Sequence, residues 1–183
     1  MDETVDLKEL VERAKNYDTE AFGQLYDLYF DKLFGYAYYK IGNRFEAEDI
    51  AEQVFLKVLE KIPEFEWRGA PFSSWLFRIA SNLVVDHYRS TKHEAVDISE
   101  EANSLPGDSY DPEQFAIRES ERSKIIDAIK GLTEQQQQVI VMRFIAGMTN
   151  EEVAKAIDKR VGAVKALQHR AIGSLGRILR GDL

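Results

Sequence analysis

Three short helical segments near the end of the chain limit its possible fold most strongly. They are Leu132 to Phe144, Met148 to Ile157 and Val161 to Arg170, and a tight turn separates the last two. Thr149, with Glu152 three residues later, forms a capping box at the start of the second segment. This order of short helix, tight turn and helix predicts a helix-turn-helix, whose last helix enters the DNA major groove in many proteins.

The last of these segments has an apolar face and a basic face. The apolar face contains Val164, Leu167, Ala171 and Leu175. The candidate DNA contacts are the residue before the helix and its outer face: Arg160, Lys165, Ala166, His169, Arg170 and Arg177. Cations can bind phosphates, and small side chains let a helix backbone approach the groove closely. A plain helical hairpin with a solvated basic face is the alternative.

Charge is distributed unevenly along the chain. The 183 residues have a net charge of −8, but residues 132–183 carry 8 Lys/Arg against 5 Asp/Glu. A basic end on an acidic body suggests nucleic acid as one partner and a different partner elsewhere. The chain has no cysteine and only 3 scattered histidines. With no catalytic triad, metal cluster or phosphate loop visible, we expect no enzyme, no metal site and no cofactor.

The start of the chain gives an expectation about location. The first six residues are acidic and lack the apolar run of a signal peptide. No stretch approaches the roughly 20 apolar residues that a membrane-spanning helix needs. We therefore expect a cytoplasmic protein without membrane insertion.

The rest of the chain also has helical patterns, so the predicted fold class is all-α. No segment alternates with period two over a convincing length, and the 4 prolines lie at breaks. The helices are predicted over residues 6–15, 21–41, 45–62, 73–89 and 113–131. Residues 93–111 are acidic and rich in turn formers, which predicts a flexible linker between two helical domains.

The predicted helix over 45–62 has an acidic face opposite its apolar face. That acidic face contains Glu46, Asp49, Glu52, Gln53, Leu56 and Glu60. An acidic stripe is usually a solvated surface, and single exposed leucines are common. A leucine among carboxylates is also typical of a surface that docks a partner, so both interpretations stay open.

The predicted helix over 73–89 has a narrow polar stripe. Ser73 is the expected N-cap, with Phe72 just before it. Arg78, Asn82 and Arg89 share the stripe, and such side chains can bind phosphates and base edges. A polar surface face explains the spacing equally well.

Together, three blocks of this chain resemble the extracytoplasmic-function (ECF) sigma factors, the smallest class of the sigma-70 superfamily. The blocks are Glu46 to Lys57, Phe72 to Asp86, and Leu132 to Ala171. The resemblance covers nearly the whole chain and implies three parts. These are a sigma-2-type helical bundle over 1–92, the acidic linker over 93–111 and a sigma-4-type helix-turn-helix domain over 112–183.

The resemblance also implies a role for each candidate residue. The residues that dock on the β′ clamp helices of core RNA polymerase would be Glu46, Asp49, Glu52, Gln53 and Leu56. The residues that recognise and help to melt the −10 element would be Phe65, Trp67, Arg68, Arg78, Asn82 and Arg89, with the loop from Phe65 to Gly69 capturing a flipped base. The residues that recognise the −35 element would be Arg160, Lys165, Ala166, His169, Arg170 and Arg177.

Further partners follow from the same resemblance. They are the β flap of the polymerase, promoter DNA and an anti-sigma factor, and the free protein is expected to be a monomer. The chain would give core polymerase its promoter specificity without catalysis of its own. The alternative is a stand-alone helix-turn-helix repressor or activator, whose N-terminal helices dimerise or sense a ligand.

The turn of the helix-turn-helix departs from the family pattern. A glycine, an apolar residue and a Ser or Thr cap are usual there, and this chain has Asp158, Lys159 and Arg160. Asp tolerates a left-handed backbone, but Lys159 cannot fill an apolar site and Arg160 cannot cap the helix. A common Arg-Leu pair in the last helix is replaced by Leu167 and Gln168, which removes one expected cation.

Overall fold

The computed structural model describes residues 6–93 and 112–181, and all regular structure within them is helical. The α-helices are α1 (Leu7–Lys15), α2 (Thr19–Ile41), α3 (Arg44–Lys61), α4 (Phe72–His93), α5 (Pro112–Lys130), α6 (Glu134–Ile140), α7 (Asn150–Ala156) and α8 (Val161–Arg180). A 3-10 turn (Ile62–Glu64) follows α3, and a π-helical segment (Val141–Ile145) follows α6. The prediction of an all-α fold is confirmed. Apart from His93, which ends α4, the predicted linker lies outside the described residues.

Local capping sets the ends of the first helices. The Asp18 carboxylate accepts hydrogen bonds from the backbone N–H groups of Glu20 and Ala21, which starts α2. Gly42 has φ of +84°, a left-handed conformation that ends α2, and the Asn43 side chain caps α3. Because only these two residues separate α2 and α3, the helices pack as an antiparallel pair.

The start of α4 differs from the sequence prediction. The helix begins at Phe72, so Ser73 lies inside its first turn and is not its N-cap. The Ser73 hydroxyl instead donates a hydrogen bond of 2.6 Å to the Glu152 carboxylate in α7. A carboxylate is a stronger acceptor than a neutral group, and the local sequence around Ser73 does not indicate that one lies nearby. The capping prediction for Ser73 is therefore wrong.

Helix α2 is buried on several faces, as its dense aromatic sequence predicts. Leu25, Leu33 and Tyr36 are almost completely buried, and Tyr29 is 7% exposed. Burial raises the pKa of both Tyr29 and Tyr36 to about 12, because a phenolate would lose its hydration. The predicted apolar face of α3 is also buried throughout: Ala47, Ile50, Ala51, Val54, Val58 and the following Ile62.

One continuous hydrophobic core joins the N-terminal and C-terminal halves. Helix α4 packs on α7, and α2 packs on both α5 and the π-helical segment. The approach of α2 to this segment is close at Gly35, where an added Cβ would lie 3.1 Å from Cγ2 of Ile145, so that this side chain would have to shift slightly. The seam between the halves is also polar in places: Lys40 Nζ lies 3.4 Å from Gln137 Oε1, and Gln138 donates to Ser81.

The helix-turn-helix forms despite its unusual turn. Thr149 and Glu152 make the predicted capping box at the start of α7. Asp158 has φ of +53°, the left-handed conformation that the sequence suggested for it. Arg160 precedes α8 and makes no side-chain cap, as predicted. The apolar contacts come from the half-buried Ile157 and Val161 on either side of the turn, so Lys159 does not have to provide them.

Candidate polymerase and nucleic-acid interfaces

The acidic face of α3 is exposed and carries an apolar side chain at its centre. Leu56 is 62% exposed, and Asp49 and Glu52 are also on the surface. No described lysine or arginine forms a salt bridge with either carboxylate. Gln53 donates a hydrogen bond to Asp49, which holds one side of the face in place. The predicted docking residues therefore form one negative surface with a leucine in its middle.

Two neighbouring groups show how this negative surface affects its surroundings. Glu46 is half-buried and lies 3.3 Å from Nε2 of His87 in α4, so it joins the two helices. Burial, and then the charges of Glu52 and Glu48, raise the pKa of Tyr26 on α2. The face thus combines exposed carboxylates with one half-buried carboxylate, Glu46, that contacts α4.

The polar stripe of α4 is exposed, but two of its side chains already have partners within the protein. Asn82 is on the surface, and Arg89 forms an exposed pair of 3.7 Å with Asp86. Arg78 donates to the backbone carbonyls of Lys155, at 2.5 Å, and Ala156, at 3.3 Å. Those carbonyls end α7 and lack partners within the helix, so Arg78 caps the C-terminus of α7.

The loop before α4 is divided between the core and the surface. Phe65 is buried, with its ring centroid 5.0 to 5.3 Å from those of Trp67, Phe72 and Trp75. Trp67 is half-buried and donates a hydrogen bond of 3.2 Å to Glu12 in α1. Arg68 is exposed and pairs with Glu66 at 2.6 Å. Phe65 therefore supports the loop from within, while Trp67 and Arg68 remain near the surface.

The outer face of α8 is preformed and basic. The predicted residues Lys165, Ala166, His169, Arg170 and Arg177, together with Arg160 before the helix, are all exposed. Within the described part of the chain, no carboxylate forms a salt bridge with Lys165, His169 or Arg170. Arg177 donates to the Ser174 hydroxyl one turn earlier. The structure thus brings this predicted set together on one surface.

Comparison with known proteins identifies the family. A model described as sigma-70 region 2 matches residues 25–94, and one described as sigma-70, region 4 matches residues 128–176. The chain is 36% identical to the ECF RNA polymerase sigma factor BldN of Streptomyces coelicolor, over 96% of this chain and 67% of BldN. It is 30% identical to the ECF RNA polymerase sigma factor SigW of Bacillus subtilis, over 95% of this chain and 97% of SigW.

The chain belongs to the ECF RNA polymerase sigma factors. The comparison therefore favours this family over the stand-alone regulator that the sequence left as an alternative. Two solved structures share the fold. CnrH, in complex with the cytosolic domain of CnrY, has a TM-score of 0.71 at 23% identity, over 95% of this chain and 97% of CnrH. The sigma factor RpoE, in complex with the anti-sigma factor NepR from Bartonella quintana, has a TM-score of 0.65 at 24% identity, over 88% of this chain and 98% of RpoE.

A cleft of about 1080 Å³ separates two candidate DNA-contacting regions of this sigma factor. One wall is the loop that contains Arg68 and Gly69, together with Arg78 of α4. The other wall is α7 and the turn from Asp158 to Arg160. The sequence did not indicate that these regions would face each other, because they are about 80 residues apart in the chain.

Arg143 is a cation of the C-terminal half that the sequence analysis missed. It lies on the π-helical segment, donates to the Met148 carbonyl, and places Nε 3.4 Å from Oε1 of Gln168 in α8. These contacts connect the loop before α7 to the helix that carries the basic face. Gln168, the second residue of the replaced Arg-Leu pair, thus serves as an acceptor for Arg143. The only signal in the sequence was an arginine inside an apolar run.

An apolar groove runs between α5, the π-helical segment and α8. It measures about 220 Å³. The side chains on its surface include Phe144, Ile172 and Leu179, which are 55%, 49% and 60% exposed. Exposed apolar side chains in one groove are typical of a surface that contacts another protein.

The described residues offer neither a membrane-spanning helix nor a cluster of metal ligands. None of the described helices is long and apolar enough to cross a membrane. The same residues contain no group of three or more His, Asp or Glu side chains that could hold a metal ion.

Proposed function

We propose that this sigma factor docks on core RNA polymerase through α3, recognises the −10 element through α4 and the loop before it, and recognises the −35 element through α8. It confers promoter specificity and supplies no catalytic group of its own, and it works in the cytoplasm, where the polymerase is. The observation that carries the proposal is the α3 face, where Leu56 is 62% exposed beside Asp49 and Glu52, neither of which forms a salt bridge with a described lysine or arginine. We also propose domain limits of 1–92 and 112–183.

The docking step uses complementary charge around an apolar centre. Asp49 and Glu52 attract basic residues of the β′ clamp helices, and Leu56 fills an apolar site when water is excluded. Charged rims mainly increase the association rate and the specificity, whereas a central apolar anchor slows dissociation. The hydrogen bond from Gln53 to Asp49 and the contact between Glu46 and His87 keep this surface ordered before binding.

The −10 step uses α4 and the preceding loop. Opening the duplex costs a few kcal/mol for each unstacked base, and stacking on an aromatic side chain offsets about 1–3 kcal/mol per base. Trp67 is the aromatic residue of the loop that remains near the surface, and Phe65 holds the loop on the core from below. Arg68, Arg78, Asn82 and Arg89 supply phosphate and base contacts along the same side.

The −35 step uses the exposed face of α8. Lys165, Arg170 and Arg177 bind phosphates or guanine edges, and Ala166 lets the helix lie deep in the groove. The C-terminal part carries a small excess of positive charge, so its own affinity for DNA is weak and depends on salt. Polymerase increases that affinity by presenting both DNA-binding surfaces at once.

The apolar groove on the C-terminal half is assigned to a second protein contact, the β flap of the polymerase. Its exposed side chains include Phe144, Ile172 and Leu179, and Ile172 follows Lys165 by two helical turns, so the groove borders the basic face of α8. An anti-sigma factor is a further proposed partner, since RpoE, which shares this fold, was solved in complex with the anti-sigma factor NepR. The free sigma factor is proposed to be a monomer.

Charge reversal on α3 tests the docking assignment. Asp49→Lys with Glu52→Lys should weaken binding to core RNA polymerase by roughly 100-fold, because two attractive contacts become repulsive. The fold should be unaffected, since both side chains are exposed. The measurement is an affinity titration against core polymerase, with thermal unfolding of each variant measured separately.

A matched control keeps the number of reversed charges. Asp27→Lys with Asp31→Lys changes two exposed carboxylates of α2, outside the proposed face, and should leave the affinity within about threefold. Equal losses in both double variants would show that net charge matters and that the α3 face does not. An unchanged affinity in the α3 variant would overturn the docking assignment.

A further inference from the structure

A cavity of about 580 Å³ lies where α2 and α4 meet the end of α5 and the start of α6. Its floor is buried and includes Tyr36, Lys40 and Val84, which are 0%, 4% and 1% exposed. Its rim is exposed and carries charged side chains, among them Arg89 and Lys130. The residues that line it differ from those of the cleft beside α7 and of the apolar groove, so it is a separate site.

The ammonium group of Lys40 is buried without a counter-charge. Among the described residues, no carboxylate forms a salt bridge with it. Its Nζ lies 3.4 Å from Oε1 of Gln137, which is a long contact with a neutral amide. Burial lowers the pKa of Lys40, and the charge of Glu134 opposes this only in part. An unpaired ammonium is costly to bury, so an anion in the cavity would stabilise it.

Lys130 brings a second ammonium group to the same end of α2. A Cβ added at Gly42, two residues after Lys40, would lie 2.8 Å from Nζ of Lys130. Gln137 connects the two lysines, since its side-chain nitrogen donates to the Lys130 carbonyl while its oxygen contacts Lys40. Two positive charges at one end of a helix repel each other, and an anion between them removes that repulsion.

The Tyr36 hydroxyl is a further polar group of the floor that the protein does not satisfy. It is buried and forms no hydrogen bond with any described residue. Ser81 and Gln138 lie near enough to oppose the rise in its pKa, but Gln138 donates to Ser81, and neither completes a hydrogen bond with Tyr36. Buried polar groups are almost always paired in proteins. A water molecule could pair with this hydroxyl, but it could not neutralise Lys40.

The charged side chains of the cavity favour an anion with two charges. Lys40, Arg89 and Lys130 are its cations, and Glu134 is its carboxylate. Arg89 also forms an exposed pair with Asp86, at 3.7 Å, so its charge is shared. A phosphate monoester carries about two negative charges near pH 7 and has three acceptor oxygens. It therefore matches one ammonium with three donors and a second cation beside it.

The other walls favour an organic group attached to that phosphate. Ile41, Val84 and Val85 give the cavity an apolar side. Its volume lies within the range of pockets that bind small organic ligands, so it accommodates more than an inorganic phosphate ion.

We propose that this cavity binds a small phosphorylated metabolite, with the phosphate group on Lys40 and Lys130 and the organic group against Val84 and Val85. The site lies outside the proposed polymerase and −35 surfaces, and it shares only Arg89 with the proposed −10 surface. Its test leaves Arg89 unchanged and needs neither polymerase nor DNA.

Calorimetric titration of the full-length free protein with phenyl phosphate tests the site. This probe is a phosphate monoester with an apolar group, and it should bind one-to-one with a Kd of about 1 mM or lower. Phenol lacks the charge, and succinate carries two carboxylates in place of the phosphate. Both should bind at least tenfold more weakly at the same ionic strength, which is kept constant because salt screens the charges.

Lys40→Met removes the charge and keeps a long, unbranched side chain. It should weaken the binding of phenyl phosphate at least tenfold. It should also raise the Tm of the free protein by roughly 2–4 °C, because an apolar side chain replaces a buried, unpaired charge. A lysine that served only the fold would give a less stable variant instead. The control is Lys32→Met, at an exposed lysine of the same helix, which should bind as the parent does.

Lys130→Met tests the rim without disturbing the core. Lys130 is exposed, so the variant should fold normally and bind phenyl phosphate about three- to tenfold more weakly. Its control is Lys124→Met, at another exposed lysine of α5, which should leave the Kd within about twofold.

The outcomes separate this proposal from the proposed function. Saturable binding that Lys40→Met and Lys130→Met weaken, and that neither control weakens, supports the site. No saturable binding by the parent, or the same Kd in the parent and both of these variants, overturns it, even if the protein directs transcription. Succinate that binds as tightly as phenyl phosphate overturns the assignment of a phosphate group. Binding that depends on Lys40, in a protein that directs no promoter-specific transcription, supports the site and overturns the proposed function alone.

Discussion

Two helices of this sigma factor carry the candidate DNA-binding cations, and they differ in what those cations do in the free protein. On α8, Lys165 and Arg170 are exposed and form no salt bridge with any described carboxylate. On α4, Arg78 binds the end of α7, and Arg89 pairs with Asp86. The candidate contacts on α8 are therefore exposed without such partners, whereas two of those on α4 already have partners within the protein.

This difference has a physical origin. Helix α8 packs on α5, α6 and α7 and buries Val164, Leu167 and Ala171, while the side that carries Lys165 and Arg170 is exposed. Helix α4 has neighbours on more than one side, since it packs on both α2 and α3 and also on α7. The difference therefore lies in Arg78, whose guanidinium group already bonds the end of α7, whereas Lys165 and Arg170 form no salt bridge with a described carboxylate.

The largest effect is expected from the preformed surface. Arg170→Ala should reduce transcription from a promoter with a −35 element by about 10- to 100-fold, because one good base contact contributes about 1–3 kcal/mol. Transcription from a promoter without that element should change little. Equal losses on both promoters would contradict the assignment and indicate a general folding or phosphate role. Arg118→Ala, an exposed arginine of α5, is the control.

A smaller effect is expected on α4. Arg78→Ala should reduce opening of the −10 region roughly five- to tenfold, measured as permanganate reactivity of unpaired thymines. The loss is limited because the variant no longer has to break the bonds from Arg78 to α7 before it binds DNA. Arg78→Lys should not restore activity fully, since lysine lacks the planar fork that can bind a phosphate or a base edge with two hydrogen bonds. Undiminished opening by Arg78→Ala would remove Arg78 from the −10 contact.

Alkaline pH should destabilise the protein through Tyr36, whose ring packs on Phe77 where α2 meets α4. Burial raises the pKa of Tyr36 to about 12, against about 10 in an unfolded chain. Its contribution to stability is therefore complete below pH 10 and is lost as the pH rises through 12. At pH 11 the loss is about 1.4 kcal/mol in the free energy of unfolding.

Urea unfolding at pH 8 and pH 11 measures this loss in the free energy of unfolding. Tyr36→Phe should flatten the dependence on pH by about that amount, because it removes the titrating group. Tyr17→Phe, at a tyrosine that is 74% exposed, should leave the dependence unchanged. The same slope in the parent and in Tyr36→Phe would show that Tyr36 does not titrate in this range.

The smallest effect concerns the turn before α8. Asp158 has φ of +53°, where a β-branched residue is strained by roughly 1–2 kcal/mol and glycine is not. Asp158→Val should lower the free energy of unfolding by about that much, and Asp158→Gly should change it by less than about 1 kcal/mol. Urea unfolding of both variants checks this. A valine variant as stable as the glycine variant would mean that the turn is not left-handed.

Local sequence signals predicted most of the helix limits. The pair Thr149 and Glu152 acts over three residues and starts α7 as predicted, and Asp18 and Gly42 set the limits of α2 in the same local way. The apolar face of α3 followed from its spacing alone. The exposed face of α8 followed in the same way, and so the structure brings its predicted residues together.

Features that depend on contacts between distant residues were not predictable. Ser73 looked like an N-cap because nothing in the sequence indicated that Glu152 would lie beside it. Phe65 looked available for stacking, but its ring is surrounded by Trp67, Phe72 and Trp75. The π-helical segment and the role of Arg143 also depend on packing against other helices. Periodicity shows which face of a helix is apolar, but not which helix will cover it.

Run-off transcription from fragmented genomic DNA of the same organism, with its core RNA polymerase, tests the central claim most directly. Addition of the sigma factor should produce discrete new transcripts, and their upstream regions should share a pair of motifs near −10 and −35. Arg170→Ala should lose the transcripts that depend on the −35 motif and keep the others. A folded protein that binds the polymerase yet adds no transcript, or adds transcripts with no shared motifs, would contradict the account.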